Sequence, residues 1–313
     1  MRHTETTERQ KKCLEVILVT LIVQLILFQL SGFLPPVVKL IFTNASQAFK
    51  SIASESVSIL AYIAVFCIPT YIIVKYANDD QKTKKLCFSC RISAPKKAIS
   101  IFFTALGGVT LIGYFTYFFK TGLEIAGIGI HNFPISIPDD FWGIVLTFVS
   151  SVIIPAIVEE LLFRGALLHT LLPHGHMFAI IFSSAAFSIM HCNPLQFLYA
   201  FFGGLIFSYA TIKSGSIFFS IILHFTNNFI SFALLLIDKY AADEIAIAIT
   251  SYTDLFFIIM GLIGAVHLVL NGFFAIGEKR SPFRFTYKDL FNMYTAIYIL
   301  YAIYLTSRWF YII

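Results

Sequence analysis

The chain is predicted to be all-α, a polytopic transmembrane helix bundle of about eight to nine spans. Three observations carry this. Of 313 residues, 58% are hydrophobic and 17% aromatic, and only 12% are charged, about half the charge of an ordinary soluble domain. The apolar residues gather into stretches near the roughly 20 residues that a bilayer-crossing helix needs. Lys and Arg collect between those stretches, as the positive-inside rule requires.

The first apolar segment, 16–34, comes after a polar start that includes Arg2, Arg9, Lys11 and Lys12. It is full span length without a small-residue cleavage site, so it reads as a signal-anchor helix ended by Pro35-Pro36. The second, 56–74, leads into a basic loop with Lys82, Lys84, Lys85, Arg91, Lys96 and Lys97. The third, 98–119, leads to Asp139 and Asp140. The fourth, 141–168, is too long for an untilted crossing, so its membrane start is expected after Phe141. The fifth and sixth are 177–190 and 195–212. Ser214-Gly215-Ser216 reads as a tight turn, with Ser216 as N-cap of the seventh, 217–237. The eighth and ninth, 255–276 and 290–305, flank Lys279, Arg280, Arg284 and Lys288.

With alternating spans, all three basic regions fall on one side and Asp139, Asp140, Asp238, Asp243 and Glu244 on the other. This predicts a cytoplasmic N-terminus, in an integral protein of a bacterial plasma membrane. The chain divides into three regions: N-terminal transmembrane helices over 1–140, a core over 141–237 and C-terminal helices over 238–313. The net charge of +5 is loop charge and does not indicate nucleic acid. The five Cys are odd in number and scattered, which argues against a disulfide framework. Cys87 and Cys90 have half the spacing of a zinc site, without a second pair.

Three polar clusters lie inside apolar segments: Glu159-Glu160 with Arg164, Phe187 with His191, and His224 with Asn228. A charged side chain at the bilayer centre costs about 2.5–3.5 kcal/mol on insertion scales, so such residues face protein or a wet cavity and suggest function. Adjacent helix positions point about 100° apart and positions four apart only about 40°. Glu160 and Arg164 therefore stack as an ion pair. Glu159 cannot share their face and is aimed elsewhere. Each cluster also has a plain structural reading: an ion-paired helix end, an interfacial histidine, a His-Asn bond between helices. Glu, two His and Asn together are what water activation and oxyanion binding use.

His169, His174 and His176 read as solvated turn residues, and His267 as bonded to a neighbouring helix. Gly203, Gly204 and Ser208 read as a close-packing face. Measured from Phe141, Glu159 and His191 fall at different depths. The clusters meet only if a helix tilts or breaks, for which Pro155 is placed.

In this order and with these neighbours, Glu159-Glu160-Leu-Leu-Phe-Arg164-Gly165, Phe187-Ser-Ile-Met-His191 and His224-x-x-x-Asn228 resemble the three motifs of the CPBP family. These are the CAAX proteases and bacteriocin-processing enzymes, also called the Abi family of intramembrane proteases. The resemblance covers about a quarter of the chain. It implies an intramembrane endopeptidase with its catalytic core in spans four to seven. Glu159 would be the water-activating base assisted by His191, with His224 and Asn228 binding the oxyanion. Glu160, Arg164 and Phe187 would support them. The substrate would be a membrane-associated peptide or protein. No metal is favoured. If zinc were used, Glu159, His191 and His224 would be the ligands. A proton-coupled transporter, or a silent peptide-binding membrane protein, is the alternative.

Overall fold

The computed structural model describes residues 2–77, 87–93, 95–131, 137–273 and 292–313. Lys82, Lys84, Lys85, Lys279, Arg280, Arg284 and Lys288 lie outside them. The described residues are almost entirely helical: α1 (Arg2–Ser31), α2 (Leu34–Ile41), α3 (Gln47–Ile72), α4 (Pro95–Ile125), α5 (Phe141–His174), α6 (His176–Ile189), α7 (Pro194–Ser214), α8 (Ile217–Tyr240), α9 (Asp243–Leu270) and α10 (Met293–Ser307). Seven candidate spans among them are long and apolar enough to cross a membrane, with α1 and α2 forming one. The two shorter apolar helices are α6 and α10. Among the described residues, each of the nine apolar segments read from the sequence contains a helix. The chain is an all-α integral membrane protein.

Several boundaries differ from expectation. Pro35-Pro36 does not simply end α1. It starts α2, where a missing N–H costs nothing. α9 begins at Asp243 rather than near 255, which puts Asp254 in mid-helix. Ser216 takes the N-cap position of α8 but its side chain caps nothing; the turn is made by Gly215 at φ +68. α5 begins at Phe141, where the fourth apolar segment starts, because the Asp140 side chain accepts from Gly143 N at 2.8 Å. α5 is not uniform. π-Helical turns at Val149–Ile153 and Leu161–Leu168 flank an α-helical segment, Ile154–Glu160. Such turns carry an extra residue, rotate the helix face beyond them and recur at functional sites.

Helices in lipid associate through close packing rather than the hydrophobic effect, and small residues set the register here. A Cβ on Gly107 of α4 would stand 2.5 Å from the Phe257 carbonyl oxygen of α9. On either side of that contact, Lys97 Nζ reaches the Asn271 carbonyl at 3.5 Å and Tyr114 the Asp254 carboxylate at 2.9 Å. A Cβ on Gly204 of α7 would stand 3.0 Å from Ser184 of α6, and the hydroxyls of Ser183 and Ser208 lie 3.3 Å apart. These contacts bear out close packing at Gly204 and Ser208; Gly203 instead faces α4, where a Cβ would stand 3.9 Å from Val109.

The α7–α8 turn is inside the protein. Ser214 and Ser216 are fully buried, and the segment over residues 87–93 closes on them through Ser93 N to Ser214 O and Ile217 N to Ser89 O. Lys97 and Asn271 meet at one end of the bundle, and Lys239 and Asp139 pair 2.6 Å apart at the other. A two-stranded ribbon, β1 (Ile128–Ile130) and β2 (Phe310–Ile312), ties the C-terminus back to the end of α4.

Candidate active site

The three motifs meet because α6 is short. Glu159 lies sixteen residues before Gly175 and His191 sixteen after it. In an antiparallel hairpin turning at Gly175, equal counts give equal height, about 24 Å from the turn at 1.5 Å per residue. Phe163 and Phe187, each twelve from Gly175, pair at 5.2 Å between ring centroids. The depth conflict came from measuring α5 from its far end. The hairpin, rather than a tilt alone, resolves it.

One cavity of about 330 Å³ is lined by Glu159, Phe187, His191, His224 and Asn228, together with Tyr62, Ser151, Gln196, Tyr199, Asn227 and others. Glu160 and Arg164, both fully buried, sit behind its wall. Arg164 Nη1 donates to Glu160 Oε1 at 2.8 Å, the expected ion pair. His224 Nδ1 lies 2.9 Å from the same oxygen. A carboxylate only accepts, so the imidazole donates there and its Nε2 is turned toward Glu159. That Nε2 is 3.8 Å from Glu159 Oε2, too far for a direct hydrogen bond. Glu159 and Glu160 diverge, as the helix spacing predicts, and His224 stands between them, bonded to Glu160 through Nδ1 and turning Nε2 toward Glu159.

Phe187 does more than wall off His191. Its ring lies 5.3 Å from the His191 ring, 6.0 Å from the His224 ring and 4.3 Å from the Arg164 guanidinium. One aromatic ring thus meets both histidines in T-shaped contacts and stacks the buried cation.

Two contacts arise from backbone chemistry. Pro155 has no N–H for the carbonyl four residues earlier, that of Ser151. Asn228 Nδ2 donates to this carbonyl at 3.2 Å, which fixes the amide at the cavity edge with one N–H still free. In the second π-turn, the Arg164 carbonyl meets His169 Nδ1 at 2.6 Å. His169 is accordingly buried, not the solvated turn residue expected. His267 bonds Ser100 of α4 at 2.9 Å, as expected. Of the two loop thiols, Cys87 is buried and Cys90 exposed, both outside any disulfide.

The residue that sequence reasoning missed is Tyr62 of α3, whose hydroxyl donates to Glu159 Oε1. A lone Tyr in the second span carries no local signal of this partner, 97 positions away. Ser151 was findable from Pro155 by the four-residue rule. Among the described residues, no group of three His, Cys, Asp or Glu side chains could hold a metal ion. Glu159 Oε1 is engaged by Tyr62, and His224 Nδ1 by Glu160. These two bonds leave Glu159 Oε2 and His224 Nε2, 3.8 Å apart, on the cavity side.

Residues 141–230 match a family model described as Rce1-like, type II CAAX prenyl endopeptidase Rce1-like. The match spans all three motifs and bears out their resemblance to the CPBP and CAAX proteases. No curated protein and no solved structure matches the chain.

Proposed function

We propose that this protein is a CAAX-type intramembrane endopeptidase that hydrolyses membrane-associated peptides or proteins with water activated by Glu159. The convergence of Glu159, His191, His224 and Asn228 on one cavity, within the segment that matches the protease family, carries this reading. Glu159 Oε1 is held by Tyr62, which leaves Oε2 facing the cavity side of His224. Glu159 takes a proton from water as the water oxygen attacks the scissile carbonyl carbon. His191 accepts from the same water and fixes its lone pair. The oxyanion receives the free N–H of Asn228 and, when His224 carries both protons, its Nε2–H. Collapse breaks the C–N bond, and the leaving amine takes the proton from Glu159.

The reading is metal-free: Glu159 serves as the base and His191 orients the water without an ion. The N-terminus is assigned to the cytoplasm of a bacterial plasma membrane. Support comes from the basic residues near the N-terminus and before α4, and from the separation of the Lys97–Asn271 and Asp139–Lys239 ends.

The test is peptide cleavage by purified protein, read by mass spectrometry. Cleavage that is lost in Glu159→Gln and persists after verified removal of zinc is expected. Proton-coupled solute flux without cleavage would favour a transporter. Peptide binding without cleavage would favour a silent receptor.

A further inference from the structure

A second cavity of about 490 Å³ adjoins the first between α4, α7, α8 and α9. Val109, Tyr199, Asn227 and Ser231 line both. The second is walled by Tyr114, Tyr117, Phe118, Tyr199 and Phe257, and Asp254 stands in it. Its size is that of a ligand pocket. Asp254 is eleven residues from the start of α9 and sixteen from its end, near the middle of a candidate span. A carboxylate there is costly and needs a reason. Its hydrogen bond comes from the Tyr114 hydroxyl at 2.9 Å. Among the described residues no basic side chain pairs with it.

We propose that this cavity is a substrate subsite that takes a basic side chain, Lys or Arg, of the peptide being cleaved. The inference rests on the proteolytic reading above. Aromatic faces attract a cation through their quadrupoles, more strongly when water is excluded. A carboxylate among them supplies the charge-assisted bond. A cation brought into the bilayer carries the same insertion cost as Asp254, and pairing removes both costs together.

Continuity with the first cavity argues for peptide rather than lipid. Tyr199, on the shared wall, donates to Asn227 Oδ1 at 2.8 Å, and Asn227 Nδ2 donates to Asn228 Oδ1 at 3.3 Å. A polar line thus runs from the wall of the subsite to the oxyanion-binding amide. Tyr117 and Phe118 are 63% and 66% exposed and form an outer rim through which a chain can slide from the lipid side.

The test uses full-length protein in nanodiscs. A randomised decapeptide library is digested and the product ends are sequenced. One position near the cut is expected to favour Lys and Arg over Gln by about tenfold. Asp254→Asn should bring that ratio to about one, and Asp254→Lys should turn it toward Glu. No basic preference at any position, or one retained in Asp254→Asn, overturns the subsite. A second arm measures binding to Glu159→Gln protein of Leu-rich probe peptides with one central Lys or Gln. Tighter binding of the Lys probe, lost with Asp254→Asn, is expected; equal Kd values overturn the proposal. A Lys advantage that vanishes when phosphatidylglycerol discs are replaced by phosphatidylcholine discs would assign it to attraction by the anionic lipid surface, and also overturns the subsite. Preferential Lys binding with no cleavage of any peptide would instead sink the proteolytic reading and leave the cation site standing.

Discussion

Replacing Glu160 with Gln should separate the fold from the chemistry. Glu160 is fully buried and its Oε1 accepts from two fully or nearly buried donors, Arg164 Nη1 at 2.8 Å and His224 Nδ1 at 2.9 Å. Breaking a buried pair while leaving one charge behind costs about 3–5 kcal/mol. Gln keeps one acceptor oxygen, so the low end, about 3 kcal/mol, is expected. That corresponds to a fall in unfolding temperature on the order of 6–12 °C. The wild-type pair is itself imperfect. Its contact is through a single nitrogen, and Glu160 Oε2, Arg164 Nε and Arg164 Nη2 are buried without a protein partner. The double variant Glu160→Leu, Arg164→Met removes both charges and all three unpartnered atoms, so it should recover most of the lost stability. It should nonetheless stay inactive, because His224 Nδ1 has lost its acceptor. Thermal unfolding in detergent, followed by intrinsic fluorescence, and peptide turnover on the same samples give both readouts. Glu160→Gln unfolding at the wild-type temperature, or a double variant less stable than the single, would refute this reasoning.

The same geometry predicts other outcomes. Asn228→Ala should lower turnover by about 10²–10³, the usual cost of one oxyanion donor, with its fold shown intact by size-exclusion profile. Tyr62→Phe removes the hydroxyl that holds Glu159, and should lower turnover about tenfold or more without changing KM, checked by steady-state kinetics. Gly204→Leu drives a side chain into Ser184, 3.0 Å from the new Cβ; the α6–α7 hairpin should splay and the unfolding temperature should drop. For topology, an accessible tag at Asp243 should label from outside intact cells, and labelling only after lysis would reverse the orientation.

Much of this architecture was readable from residues alone. Composition placed the helices because lipid demands about 20 apolar residues per crossing. The Glu160–Arg164 pair was legible because helix spacing dictates it. The meeting of Glu159 with His191 was also legible, had both been counted from Gly175 instead of from Phe141. What could not be read were contacts set by distant packing. Tyr62 reaches Glu159 from another helix, and His169 is buried because a π-turn re-aims it onto the Arg164 carbonyl. The mid-helix position of Asp254 was hidden because polar residues in the first turns of α9 disguised its true start.

The most direct test of water activation by Glu159 is cleavage in ¹⁸O-labelled water with product analysis by mass spectrometry. Wild-type protein should place one labelled oxygen in the new carboxyl terminus under single-turnover conditions, with no label in the enzyme. Glu159→Gln should give no product above background. Wild-type turnover by Glu159→Gln, or a labelled oxygen first appearing on Glu159 itself, would contradict a general-base role for this carboxylate.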